Sequence, residues 1–347
     1  MSGYIDSFYA RTRTAGAVRP PLEGYVKADV CVIGGGLAGL NTALGLAERG
    51  ARNVVLVEAN RVGWGASGRN GGFVGTHYAA EFDEIERRVG FEHAVRLVRL
   101  TREAVDLIDR RIGKYAIACG PNVRDQICGS WHDDPDALKR WAEFEATGAH
   151  DRVLVPELGA SFLPIATFIV VTDPVEESLV AGAIKTHCAV FDDRFSLDYY
   201  RRLEDNRILW GGRGTAFVHQ PHNLRHLMLG DMARVYPQFR GVKAQSVWMG
   251  IMAFTRHRMP EIGMLRPGLW YAQGFGGQGM GPTTVAGEAL AGAITGTSDT
   301  WELFRPFTLD WCGGPVGKLY GEAYRIWVRG IDGIATRRAR RRAGRAA

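Results

Sequence analysis

Gly34-Gly35-Gly36-Leu37-Ala38-Gly39 follows an apolar run, Ala28 to Ile33, and opens a stretch of helical pattern, Leu40 to Arg49, that Gly50 ends. A second apolar run from Asn53 to Val57 closes on Glu58. The order strand, Gly-x-Gly-x-x-Gly, helix, strand, acid is that of a dinucleotide-binding βαβ unit. Each position has a task. Gly34 permits the tight turn out of the strand, Gly36 lets backbone approach a pyrophosphate with no Cβ in the way, and Gly39 lets the helix pack close to the sheet. Leu37 and Ala38 bring the first helical N–H groups, at the positive end of the helix dipole, against that pyrophosphate. The Glu58 carboxylate suits the two hydroxyls of an adenosine ribose and disfavours a 2′-phosphate.

With 347 residues, 46 % of them apolar, the chain exceeds the size at which single cores stop growing, so two connected domains are expected. The net charge of +6 equals the contribution of Arg337, Arg338, Arg340, Arg341, Arg342 and Arg345 alone. Such a run reads as a solvated tail, and neither nucleic acid nor membrane is an expected partner. The five cysteines (Cys31, Cys119, Cys128, Cys188, Cys312) form no C-x-x-C pair and read as reduced thiols. Residues 1–27 hold Arg11, Arg13 and Arg19 but no apolar core of a secretory signal, and the apolar stretch Phe162 to Val171 contains Pro164 and is too short to span a bilayer. A cytoplasmic location is expected. His219, His222 and His226 are interrupted by Pro221, so no metal site is expected.

Arg61-Val62-Gly63-Trp64-Gly65-Ala66-Ser67-Gly68-Arg69-Asn70-Gly71-Gly72 is too rich in glycine for regular structure and too particular for a linker. From Asp83 to Ile112 the apolar residues Val98, Val105, Ile108 and Ile112 recur among charges, which predicts one amphipathic helix. Phe168 to Val171, Arg207 to Trp210 and Trp248 to Phe254 read as strands, the second turning at Gly211-Gly212. Leu269 to Ala272 reads as a strand before Gly274-Phe275-Gly276-Gly277-Gln278-Gly279-Met280-Gly281 and a small-residue helix from Thr283 to Ile294. This second strand, loop, helix unit has no acid at the fingerprint distance. It fits a loop that brings backbone N–H groups against the electron-rich end of a cofactor.

In this order, these segments together with Asp198 to Arg201, Leu209 to Arg213 and Trp248-x-Gly250 resemble the D-amino-acid oxidase family of FAD-dependent oxidoreductases, in its γ-glutamylputrescine oxidase and glycine or sarcosine oxidase-like branch. The resemblance covers most of residues 1–330. It implies an α/β fold in which a Rossmann-like FAD-binding domain (28–120 and 255–330) is interleaved with an antiparallel-sheet substrate domain (121–254), between an N-terminal arm (1–27) and a basic tail (331–347). It also implies FAD contacts from Arg61, Ala66, Ser67, Arg69, Asn70 and Gly72, and from Gly276, Gly277, Gln278, Gly279 and Met280. The activity implied is oxidation of a C–N bond in an amine or amino acid, by hydride transfer to the flavin, hydrolysis of the imine and reoxidation by oxygen or another acceptor. Met252-Ala253-Phe254-Thr255 holds no cysteine where relatives with covalent flavin carry one, so noncovalent FAD is expected. Between Gly120 and Thr172 the chain is shorter than the family's pattern and shows no strand pair to complete the FAD domain. The unpaired sheet edge that this leaves invites a homodimer.

Amine oxidation by a flavin needs positioning and electrostatics more than side-chain chemistry. Arg213 is a candidate for a substrate carboxylate, Tyr200 for an aromatic pocket wall, where Tyr199 and Tyr200 cannot both face inward, and His257 for a polar contact. Trp248 reads as core. Two other readings stay open: a shortened, non-catalytic homologue or partner subunit, and an FAD module acting on a modified tRNA base.

Overall fold

The structure, a computed structural model, describes residues 3–14, 16, 19–120, 126–129, 156–192, 194, 197–327 and 330. The basic tail and most of 121–155 lie outside the described residues. A short helix, α1 (Phe8–Thr12), is capped by the Ser7 hydroxyl, which accepts the Ala10 N–H at 3.1 Å. The βαβ unit follows as β1 (Val30–Ile33), α2 (Leu37–Glu48) and β2 (Val54–Val57), with β1 and β2 paired in parallel from Val30↔Val54 to Ile33↔Val57. Among the described residues this sheet has two strands.

The single helix expected over 83–112 is two, α3 (Phe82–Val89) and α4 (Phe91–Lys114). Gly90, at φ +82°, ends one and begins the other. Only glycine adopts that angle at low cost, so the chain turns where the helical pattern alone runs on. The buried stripe of α4 also differs from the expected one: Ala94, Leu97, Thr101 and Ala104 face inward, with Arg111 at its end.

The second half is built around β3 (Gln126–Gly129), α5 (Pro156–Ala160), β4 (Phe162–Thr172), α6 (Glu177–Ala183), β5 (Ala189–Asp192), β6 (Tyr199–Arg202), β7 (Ile208–Thr215), α7 (Leu224–Val235) and β8 (Ala244–Thr255). Its six strands run in the order β3-β5-β6-β7-β4-β8, antiparallel except for the β3–β5 pair. The strands of residues 126–129 and 162–172 thus belong to this sheet and not to the two-strand one. Pro164 is tolerated within β4 because pairing with β7 begins only at Ala166, while β8 lies alongside at Ala253. Side chains of β4 alternate, Ala166, Phe168 and Val170 packing towards α7 and Ile169 and Val171 towards α1.

β7 does not turn at Gly211-Gly212 but continues to Thr215. Its glycines make room for side chains of the adjacent segment: a Cβ on Gly211 would lie 2.0 Å from Tyr199 Cζ, and one on Gly212 would lie 2.4 Å from Asp198 Oδ1. The chain closes with the hairpin β9 (Glu261–Arg266) and β10 (Leu269–Gln273), the helix α8 (Met280–Thr295), and a helix over residues 314–327. α8 crosses α2 closely, since a Cβ on Gly287 would fall 2.4 Å from Asn41 Cβ. The buried Arg111 guanidinium binds Glu48 of α2, Glu288 of α8 and the Asn41 side chain, joining three helices.

Candidate cofactor and substrate cavity

The first turn is fixed by backbone geometry. Gly34, at φ +104°, donates its N–H to Val57 O at 2.8 Å, and a Cβ on Gly39 would lie 2.0 Å from Gly34 O. Glu58 Oε2 accepts the Gly35 N–H at 2.6 Å and Oε1 accepts the Asn60 N–H at 2.9 Å, so the carboxylate stands at the mouth of the turn. The N-cap of α2 is Gly36, which supplies no side-chain cap. Instead the Ser67 hydroxyl accepts the Leu37 N–H at 2.9 Å, and Gly36 leaves it room, a Cβ there being 3.1 Å from Ser67 Oγ.

The segment after β2 is held by its own side chains. Asn70 donates to Ser67 O at 2.9 Å and accepts the Gly72 N–H at 2.7 Å, with Gly72 at φ +76°. Arg69 donates to Trp64 O at 2.9 Å and its guanidinium lies 4.2 Å from the centre of the Trp64 ring. The buried Trp248 indole donates to Arg69 O at 3.0 Å, which ties this segment to β8. Arg61 faces the Tyr4 ring at 5.9 Å.

The late glycine loop closes the far side. Gly276 donates to Ala253 O at 2.7 Å. Gly276 and Gly277 sit at φ +56° and +84°, where a Cβ would lie 2.5 Å from Ala79 Cβ and 2.7 Å from Met252 Sδ. Gly279 caps α8 without a side chain, and it and Met280, the first residue of the helix, line the same space.

These pieces surround one cavity of about 470 Å³. Gly36, Leu37, Ala38, Ala66, Ser67, Arg69, Asn70 and all of Gly276 to Met280 line it. Gly34, Gly39, Glu58, Arg61 and Gly72 do not; they shape the turns or stand outside the lining. The remaining wall comes from the six-stranded sheet, including Thr167, Tyr199, Gly212 to Gly214 and Gly250 to Phe254.

Of the three side chains considered for chemistry, only Arg213 borders the cavity, and its guanidinium is bound to the Asp231 carboxylate of α7 through both Nε and Nη2. Tyr200 points to the opposite face of the sheet, stacked on Trp210 with ring centres 4.5 Å apart and its hydroxyl 2.8 Å from that of Tyr236. Strand alternation gives the cavity to Tyr199 instead. His257 lies in the β8–β9 turn, away from the cavity. Its Nδ1 accepts the Met259 N–H at 3.2 Å, leaving Nε2 to donate to Thr308 O at 3.1 Å, and burial pushes its pKa down to about 4.

Phe73, His77 and Arg325 also line the cavity and belong to no motif in the sequence. His77 stands five residues beyond Gly72 in the same glycine-rich segment, and burial lowers its pKa, so it is a neutral imidazole in the wall. Among the described residues, no aspartate or glutamate lines the cavity.

A family model described as DAO, FAD dependent oxidoreductase, matches residues 29–160 and 145–293. The chain belongs to this family. It is similar to gamma-glutamylputrescine oxidoreductase of Escherichia coli, 27% identical over 394 residues that cover 88% of this chain and 92% of that one. A probable oxidoreductase OrdL of Haemophilus influenzae is also 27% identical, over 395 residues covering 87% and 90%. Both alignments are longer than the 347-residue chain, so each relative carries residues in the matched region that this member of the family lacks. Among solved structures, glycine oxidase from Geobacillus kaustophilus superposes with a TM-score of 0.61 at 17% identity, covering 81% of this chain and 98% of that one. L-proline dehydrogenase from P. horikoshii gives 0.58 at 14% identity, covering 81% and 97%. At such identities these two show the shared fold.

Proposed function

We propose that the chain binds FAD noncovalently in this cavity and oxidises a C–N bond of an amine or amino acid. The observation that carries the reading is the meeting of residues 36–38, 66, 67, 69, 70 and 276–280, far apart in sequence, on one cavity at two helix N-termini whose N-cap residues are glycines. The fit to the cofactor rests on the glycines: at positions 36, 276 and 277 a Cβ would press on the surrounding wall and narrow the space. Support also comes from relatives named for a putrescine derivative, glycine and proline, each with a C–N bond.

In this reading the N-terminus of α2 and the Ser67 hydroxyl would hold the pyrophosphate, and the Glu58 carboxylate would accept from the ribose hydroxyls. The start of α8, where Gly279 and Met280 line the cavity, would offer backbone donors able to stabilise negative charge on a bound acceptor. Bound flavin supplies the acceptor for the hydrogen and two electrons leaving the substrate carbon. Tyr199, Phe73 and Met252 would form an apolar wall that excludes water, and His77 stands beside them in the wall.

The purified protein should show a flavin absorption spectrum, and acid precipitation should leave the yellow FAD in the supernatant. A screen of polyamines, N-methyl amino acids and D-amino acids with peroxide and dye readouts should then find turnover. Protein without flavin would overturn the reading. A second reading, a shortened homologue that keeps the fold without turnover, is favoured by alignments longer than the chain. Bound FAD with no reduction by any of these substrates would support it.

A further inference from the structure

The helix over residues 314–327 is held to the protein at two places. Cys312, just before it, donates its N–H to Ala160 O at 3.0 Å. Further along, the buried Glu322 carboxylate reaches the end of β7, where Oε2 accepts the Ala216 N–H at 3.0 Å and the Thr215 hydroxyl at 3.2 Å. The other oxygen, Oε1, accepts from Arg325 one helical turn on, from Nε at 3.0 Å and from Nη2. Burial raises the Glu322 carboxyl, but these bonds outweigh it and bring the pKa below its ordinary 4.5, so the group is an ionised anchor. Arg325 thereby joins the cavity wall at the end of β7, the part of the lining that includes Gly214 of that strand and Ile165 of β4.

Glu322 uses one edge of this guanidinium. Of its N–H groups, one on Nε and one on Nη2 go to Oε1, and those remaining on Nη1 and Nη2 have no partner among the described residues. That end is a fork of the width of a carboxylate. Arg213 differs, because both oxygens of Asp231 draw its guanidinium towards α7, on the sheet face that carries Tyr200. Arg325 also stands beyond residues 29–293, which match the family's pattern. We propose that Arg325 sets the substrate class: its open fork binds the carboxylate of an amine that carries one, and Glu322 is the positioning residue that holds the fork in the wall. The inference rests on reading the cavity as a site of flavin-dependent amine oxidation. A free polyamine would instead bring a second ammonium to a lining that, among the described residues, holds Arg69, Arg213 and Arg325 and no carboxylate. The contact is the same before and during the reaction, so it acts on KM and not on kcat.

The test sets D-alanine and N-methylglycine each against its own amide, which keeps the amine and removes the negative charge. In flavin-loaded protein, Arg325→Met combined with Glu322→Gln, so that no buried carboxylate is left unpaired, should raise KM for the acid by about tenfold or more, with kcat and the KM of the amide within about twofold. Glu322→Gln alone should raise the same KM by less, since the fork is present but no longer held. Binding is also read without turnover: propionate should raise the melting temperature of the wild-type protein, propionamide should not, and the double variant should lose the response. If the double variant does not fold, Arg325→Lys, which keeps the charge and loses the fork, serves for both measurements. Absence of flavin would defeat the reading of the cavity, and the response to propionate would still decide the role of Arg325. Equal losses for acid and amide, a propionate response that survives in the variants, or a lower KM for polyamines than for the amino acids in the wild-type protein would each overturn the proposal.

Discussion

Glutamine in place of Glu261 is expected to stabilise the protein above neutral pH and to change it much less in mild acid. Glu261 opens β9 with 0% exposure. Its Oε2 accepts from Ser161 Oγ at 2.6 Å and from Gln273 Nε2 at 2.7 Å, while Oε1 is buried without a hydrogen-bond partner, 3.8 Å from His257 Nε2. Burial pushes the carboxyl up to about 7 from its ordinary 4.5. His257 does not offset this, because its Nε2 proton is given to Thr308 O and burial keeps the ring neutral. A folded-state pKa above the unfolded one means that the folded protein holds the proton more tightly. Stability from this group is therefore complete below about pH 4.5 and is lost as pH rises through about 7. At about 1.36 kcal/mol per pKa unit the whole gap is worth roughly 3 kcal/mol, most of it lost between about pH 5 and pH 8. Glutamine is neutral throughout, so the advantage of the variant should grow by about 2 kcal/mol across that range, a few degrees in Tm. The opposite contribution of His257 is common to both proteins and drops out of the difference. Thermal melts of both holoproteins at constant ionic strength measure it, and a difference that does not change with pH would refute the reasoning.

Glu58→Ala removes the acceptor for the Gly35 and Asn60 N–H groups and, in the proposed complex, for the ribose, and should weaken FAD binding by about 1–3 kcal/mol in calorimetry. Gly277→Val places a branched side chain at φ +84° against Met252 Sδ; lower flavin occupancy or slower reduction in stopped flow is expected, with the overall fold retained. Tyr200→Phe leaves the Tyr236 hydroxyl without its partner and should cost about 1 kcal/mol of stability with no change in substrate KM, whereas Tyr199→Leu should raise KM. Added FAD should raise the Tm of partly flavin-free protein in a concentration-dependent way, and full occupancy after dialysis with no shift would show tighter binding than the short chain suggests.

The parts of the molecule legible from sequence are those whose causes are local. The turn at Gly34 to Gly39 and the loop at Gly274 to Gly281 announce themselves because positive φ angles and close backbone approach demand glycine within a few residues. What stayed hidden depends on partners distant in the chain. Gly211 and Gly212 look like a turn until Asp198 and Tyr199 are seen lying across them. Alternation says that one of Tyr199 and Tyr200 faces the cavity, but Trp210 and Tyr236 on the other side of the sheet decide which. Arg213 reads as a free fork for a carboxylate, and Asp231, eighteen residues on, already occupies it. His77 belongs to no motif and is found only by its place in the wall. In the segment between Gly120 and Thr172, where a strand pair of the FAD domain was expected to be missing, β3 and β4 both join the six-stranded sheet, and residues 121–125 and 130–155 lie outside the described ones.

The slot that Gly211 leaves for Tyr199 constrains how this sheet can change over generations. With the ring in place, alanine at 211 is blocked, because its Cβ would stand 2.0 Å from Cζ. With the ring shortened first, the three nearest obstacles to that alanine, all atoms of Tyr199, are gone. Replacement at 199 therefore has to come first, and 211 becomes variable only in lineages that have already given up the tyrosine. The two positions should carry a signature of ordered replacement, and once a larger residue has settled at 211, the return of an aromatic ring at 199 is closed.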